Sequence, residues 1–229
     1  MSDERGMTMI ELLVAMTIGM VVLFATFAIA DVSSRNSARI AHRVDLNQRV
    51  RPVMQHVMDE LHSACVAPGV APLLEGSTPN SLSFLHKTGS DVSPTPDRRV
   101  ISLSDNTLSE SVYAGVGGSG PDDWTFSTTP STRVLLAGVE PAQLADPPTD
   151  VPLFRYYGYE TGETSLTEVS TPLTKEIAET VVRVDVAFAL DPTGNPTNDP
   201  NDGVSVADSV LLRFEPAQGG TTEGNRPCV

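Results

Sequence analysis

Between Leu12 and Ala30 the chain reads LLVAMTIGMVVLFATFAIA, 19 consecutive residues without a charge. Wound as a helix at ~1.5 Å per residue, this run spans about 28 Å, close to the ~30 Å hydrocarbon core of a bilayer. No later stretch is comparable, so the sequence has one membrane-length segment, at its front. The remainder of the chain is polar, acidic and rich in Gly, Pro, Ser and Thr. A chain of 229 residues fits one globular domain behind such a segment. The formal net charge of -14 argues against a nucleic-acid partner, because phosphate contacts need clustered Lys and Arg.

Three readings of the apolar run compete. Ala28-Ile29-Ala30 is an A-x-A pattern that suits a secretory signal peptide cut before Asp31. An uncut signal anchor keeps the helix in the membrane. The third reading places the cut before the run. Glu11 weighs most here, since an ionised carboxylate at the start of an apolar helix costs a few kcal/mol and calls for a partner or a function. Neither of the first two readings explains it.

The segment Gly6-Met7-Thr8-Met9-Ile10-Glu11-Leu12-Leu13-Val14-Ala15 resembles the class III signal of type IV prepilins and type II secretion pseudopilins. Their usual form is a Gly, then Phe-Thr-Leu-Ile-Glu, then an apolar run. Gly6, Thr8, Ile10, Glu11, Leu12 and Leu13 match, and Met7 and Met9 stand where Phe and Leu are common. The resemblance implies cleavage after Gly6 by a prepilin peptidase, which then methylates the Met7 amine. It assigns Glu11 to assembly, paired with a Met7 amine. The implied partners are the peptidase/methyltransferase, other major and minor pilins, the assembly platform and the membrane. The implied location is the cytoplasmic membrane, crossed once with the C-terminal domain outside, and then a pilus or pseudopilus. Two features depart from the pattern. The leader holds Asp3 and Glu4 against Arg5 where basic leaders are usual, and Arg35, Arg39 and Arg43 follow the helix against the positive-inside trend. Long downstream domains translocate largely regardless of flanking charge, so the orientation stands. The alternative is a Sec-exported or membrane-anchored extracytoplasmic binding protein, cut after Ala30 or left uncut.

Beyond Ala30 the pattern turns amphipathic. Ile40, Val44, Val50, Val53, Met54, Val57, Met58, Leu61, Ala64 and Cys65 recur mostly at spacings of three and four, one apolar helical face. Pro68-Gly69 ends the helix, and Pro52 removes one backbone donor within it. From about Ser77 onward short strands are predicted at Leu82–His86, Arg99–Leu103, Leu108–Tyr113, Arg133–Val139, Leu153–Tyr159, Val182–Leu190 and around Val210–Phe214. Asp105-Asn106 marks a tight turn. The expected fold is α+β, a long N-terminal helix with a transmembrane half and an amphipathic half, packed on an antiparallel sheet. The expected parts are a leader at 1–6, a transmembrane or filament-core helix at 7–30, an amphipathic helix at 31–67 and a β domain at 68–229. The large domain, the Phe154-Arg155-Tyr156-Tyr157 strand and the terminal Leu211-Leu212-Arg213-Phe214 resemble minor pilins of the PilW or secretion-J type.

No catalytic constellation appears in the sequence. G-x-S-x-G, H-E-x-x-H, Walker A and Rossmann patterns are missing, and no cofactor is expected. His42, His56 and His62 fall on the helix and His86 on a strand. His56 and Glu60 have the spacing of paired metal ligands, but no third ligand accompanies them, so exposed helix polarity accounts for them. The loop from Asp191 to Gly203 offers calcium-type oxygens at Asp191, Asn195, Asp199, Asn201 and Asp202. It lacks EF-hand spacing and the closing Glu, and reads as a solvated turn-rich loop. Gly115 to Gly120 reads as a flexible loop. Cys65 and Cys228 form no CxxC pair. In an oxidising compartment they join or remain two free thiols.

Overall fold

The computed structural model describes residues 8–65, 71, 73–87, 95–118, 123–143, 149–159, 165–190 and 203–212. They divide into two compact units, one up to Asp45 and one from Leu46. A single helix, α1 (Met9–His62), runs through both and continues past Pro52. From Thr8 to Val44 every residue is exposed. From Leu46 the helix buries one stripe, Leu46, Val50, Met54, Val57, Met58 and Leu61, at helical spacing. The predicted apolar face therefore begins too early. Ile40 is 64 % exposed and Val44 50 % exposed, while Leu46, left off the predicted face, is buried.

The second unit is built mainly of strands, in chain order β1 (Ser81–His86), β2 (Asp97–Ser104), β3 (Thr107–Tyr113), β4 (Gly115–Gly117), β5 (Thr125–Phe126), β6 (Ser131–Ala137) and β7 (Val139–Glu140). After these come β8 (Ala142–Gln143), β9 (Asp150–Val151), β10 (Phe154–Tyr159), β11 (Leu166–Glu168), a short helix α2 (Lys175–Ala178), β12 (Val181–Leu190) and β13 (Val204–Leu211). One sheet has the order β1-β2-β3-β6, all antiparallel. The other has the order β11-β10-β12-β13, with β7 added beside the end of β12. The fold is α+β, as the sequence indicates, with two principal sheets.

Local chemistry explains the pairing. Asp105 and Asn106 both take positive φ, 49° and 57°, the turn that matches strand twist, and Ser104 pairs with Thr107 across it. The predicted strand over Arg133–Val139 is broken at Gly138 (φ 78°), where the chain leaves the first sheet and enters the second. The last strand starts earlier than predicted, at Val204, and pairs with β12 along its whole length. Gly115 to Gly117 is no loop, because it forms β4 against Thr125–Phe126. Both sheets and the buried stripe of α1 share one apolar core, which includes Leu82, Phe84, Ile101, Phe154, Val184 and Phe188. Tyr156 is also buried, and its hydroxyl donates to the Thr78 carbonyl at 2.9 Å.

Candidate functional site

Thr8 and Glu11 form a reciprocal cap at the start of α1. The Thr8 amide and hydroxyl donate to Glu11 Oε2 at 3.1 and 3.0 Å, and the Glu11 amide donates to Thr8 Oγ1 at 3.4 Å. This is a capping box, which satisfies helix amides that lack intrahelical partners. Its signal in the sequence is T-x-x-E directly before an apolar run, a pattern that reading Glu11 for assembly alone passes over. Beyond the cap α1 is long and apolar enough to cross a membrane, and among the described residues nothing buries its apolar window. Gly6 and Met7 lie outside the described residues. So do Cys228 and the loop residues Asp191, Asn195, Asp199, Asn201 and Asp202. Cys65 is buried with Leu85, against Leu74, Trp124 and Phe126, and no free thiol occurs among the described residues.

A second constellation was not expected. Glu110 on β3 is the one buried carboxylate among the described residues, 1 % exposed. The register sets it opposite Ile101 on β2 and Arg133 on β6. Arg99 Nη1 donates to Glu110 Oε1 at 3.0 Å, and Arg133 Nε donates to Oε2 at 2.7 Å. Arg99 also contacts Glu60 Oε2, an ionic contact without a well-aligned hydrogen. His86 Nε2 faces the same oxygen at 3.4 Å. Burial pushes the Glu110 carboxyl up, but the Arg133 hydrogen bond and the charges of Arg133 and Arg99 hold it below the ordinary carboxylate value.

His56 is not simply an exposed helix residue. Its Nε2 lies 3.2 Å from Glu110 Oε2 and within hydrogen-bonding distance of Arg133 Nη2. One nitrogen cannot donate to the first and accept from the second. A guanidinium keeps its protons, so an Nε2 paired with Arg133 accepts and an Nε2 paired with Glu110 donates, while Nδ1 faces Glu60 Oε1 at 3.9 Å.

Glu110 is the third residue that a metal reading of His56 and Glu60 lacked, and the three groups lie within 4.8 Å of one another. The arrangement does not fit a metal. The imidazole separates the two carboxylates, and Arg99 already bridges them as their cation. The formal charges of two glutamates and two arginines already cancel, and a divalent ion would have to displace a guanidinium.

Together the capped, bare helix and the strand-rich unit define a protein with an N-terminal membrane-type helix and an α+β head. Residues 1–27 match the family model described as the prokaryotic N-terminal methylation motif. The chain thus carries the N-terminal methylation motif of the type IV prepilin and pseudopilin family. No curated protein matches the chain.

Proposed function

We propose that this chain is a minor pilin or pseudopilin. On this reading a prepilin peptidase removes residues 1–6 and methylates the Met7 amine. Residues 7–30 then hold the subunit in the cytoplasmic membrane, with the head outside. An assembly platform adds it, with other pilins, to a pilus or secretion pseudopilus. The observation that carries this is the methylation motif running into the uncharged 12–30 stretch of α1, which is exposed among the described residues. The role is structural, without a reaction of its own. The size of the head and the Phe154-Arg155-Tyr156-Tyr157 strand favour a PilW or secretion-J type subunit. Against a protein cut after Ala30 stands the continuity of α1, since a peptidase needs extended backbone and Ala28, Ile29 and Ala30 are helical.

The test is at Gly6. A peptidase must approach the backbone closely at the bond it cuts, and glycine has no Cβ to obstruct it. Gly6→Leu is expected to leave only uncut precursor. N-terminal sequencing of the wild-type chain should read from Met7. A start at Asp31, or at Met1 or Ser2, overturns the reading. A Gly6→Leu chain that still starts at Met7 overturns the cleavage site.

The same reading places the head in an oxidising compartment, where we propose that Cys65 pairs with Cys228. On the chain-entropy account, closing so long a loop stabilises the head by about 2–5 kcal/mol. Thiol labelling of unreduced exported protein, without and then with denaturant, is expected to find neither cysteine reactive. Labelling of both once the head is unfolded rules the bridge out.

A further inference from the structure

We propose that the cluster of His56, Glu60, His86, Arg99, Glu110 and Arg133, centred on the buried Glu110 and His86, is an acid-releasable clasp that holds the second half of α1 against the β1-β2-β3-β6 sheet. Its geometry joins separate elements at one point. His56 and Glu60 come from α1, His86 from β1, Arg99 from β2, Glu110 from β3 and Arg133 from β6. Asp97 on β2 is a further charged group near His86, paired opposite it across the strands, and its carboxylate accepts the Gly115 amide at 3.0 Å. Within the clasp proper the charges cancel only while both imidazoles are neutral.

An added proton has no good place on His86. His86 is buried, its Nδ1 has no hydrogen-bond partner among the described residues, and its neighbour Arg99 is a cation. Burial and Arg99 lower the His86 pKa below its ordinary 6.5, against the opposing pull of Glu60, Asp97 and Glu110. Below about pH 6.5 an unfolded His86 binds a proton that the folded head does not, so stability falls as pH falls. Glu110 acts in the same direction at lower pH. Its folded pKa lies below the ordinary 4.5, so the stability it contributes is present above that value and lost as pH drops through the folded one. The clasp is closed at neutral pH and loosens as acid is added, through His86 from below 6.5 and through Glu110 from below 4.5.

The experiment uses the full chain in detergent micelles. Urea unfolding followed by the fluorescence of Trp124 is run from pH 7.5 to 5.0, alongside nuclear magnetic resonance titration of the His86 ring. The unfolding constant of the wild-type protein is expected to rise by up to about tenfold per pH unit below pH 6.5, the linkage limit for one proton. In His86→Gln that dependence should flatten, and the wild-type ring should titrate below 6.5. A slope unchanged in His86→Gln overturns the proposal. So does a His86 ring in the folded protein that titrates above 6.5, a reading that decides the matter even where the variant does not fold.

Discussion

Glu110→Gln is expected to lower the unfolding free energy of the head by about 3 kcal/mol, the low end of the cost of removing one partner from a buried ion pair. The carboxylate accepts from Arg99 and Arg133 and is almost wholly excluded from water. Removing its charge leaves Arg99, itself only 13 % exposed, to share Glu60 with His86. Arg133 behaves differently. Its side chain is 59 % exposed, so water can solvate it when its partner is lost, and exposed pairs contribute roughly 0–1 kcal/mol. Arg133→Ala should therefore cost well under half of what Glu110→Gln costs, although the two residues touch. Urea titration of both variants at pH 7.5 measures the difference. Equal losses would mean that the cluster is a surface network and that Arg99 does not anchor it.

Glu11→Ala is expected to leave cleavage intact and to remove the subunit from sheared filaments. In the membrane an ionised acid at this depth costs a few kcal/mol unless a cation is near. If residues 1–6 are removed as proposed, the Met7 amine would supply one, its ordinary pKa being about 8. On the proposed reading, a pair between Glu11 of one subunit and Met7 of the next would align the incoming helix before apolar faces meet. In the single chain the same carboxylate already has partners, the amide and hydroxyl of Thr8. On that reading assembly would draw Glu11 away from its own cap, which is worth on the order of 0.5–2 kcal/mol to the helix. Thr8→Val separates the two roles, because it removes the hydroxyl and keeps the acid. It should incorporate normally. Incorporation of Glu11→Ala would sink the assembly role, as an acid that merely snorkels to the headgroups is dispensable. Equal failure of both variants, judged by immunoblot of sheared filaments, would make capping the acid's main task.

Much of the fold was legible in the sequence because its signals are local. The uncharged run gives the helix, alternation in Val182 to Leu190 gives the central strand, and Asp105-Asn106 gives the hairpin turn. The face of α1 was misplaced because periodicity records apolar spacing and not what covers it. Ile40 and Val44 continue the stripe before the point where Leu46 begins to be buried. Glu110 was invisible for a related reason. Within Thr107-Leu108-Ser109-Glu110-Ser111 an acid at a core-facing position looks like any solvent-facing one, and its partners lie 11, 23 and 54 residues away. Only strand register brings Arg99 and Arg133 to it. The N-terminal motif is the opposite case, because all its chemistry lies within a few consecutive residues.

The change of sheet at Gly138 has a topological consequence for the head. Ser131–Ala137 is hydrogen-bonded to β3, and one residue later Val139–Glu140 is hydrogen-bonded to β12. A β-branched residue at 138 would resist the positive φ that makes this handover. Nearby, the amides of Phe154 and Leu173 donate to the carbonyls of Pro79 and Ser77, both just ahead of β1. The head consequently has no seam: the two sheets are knitted by a shared thread, and to peel one from the other is to tear backbone pairing in both.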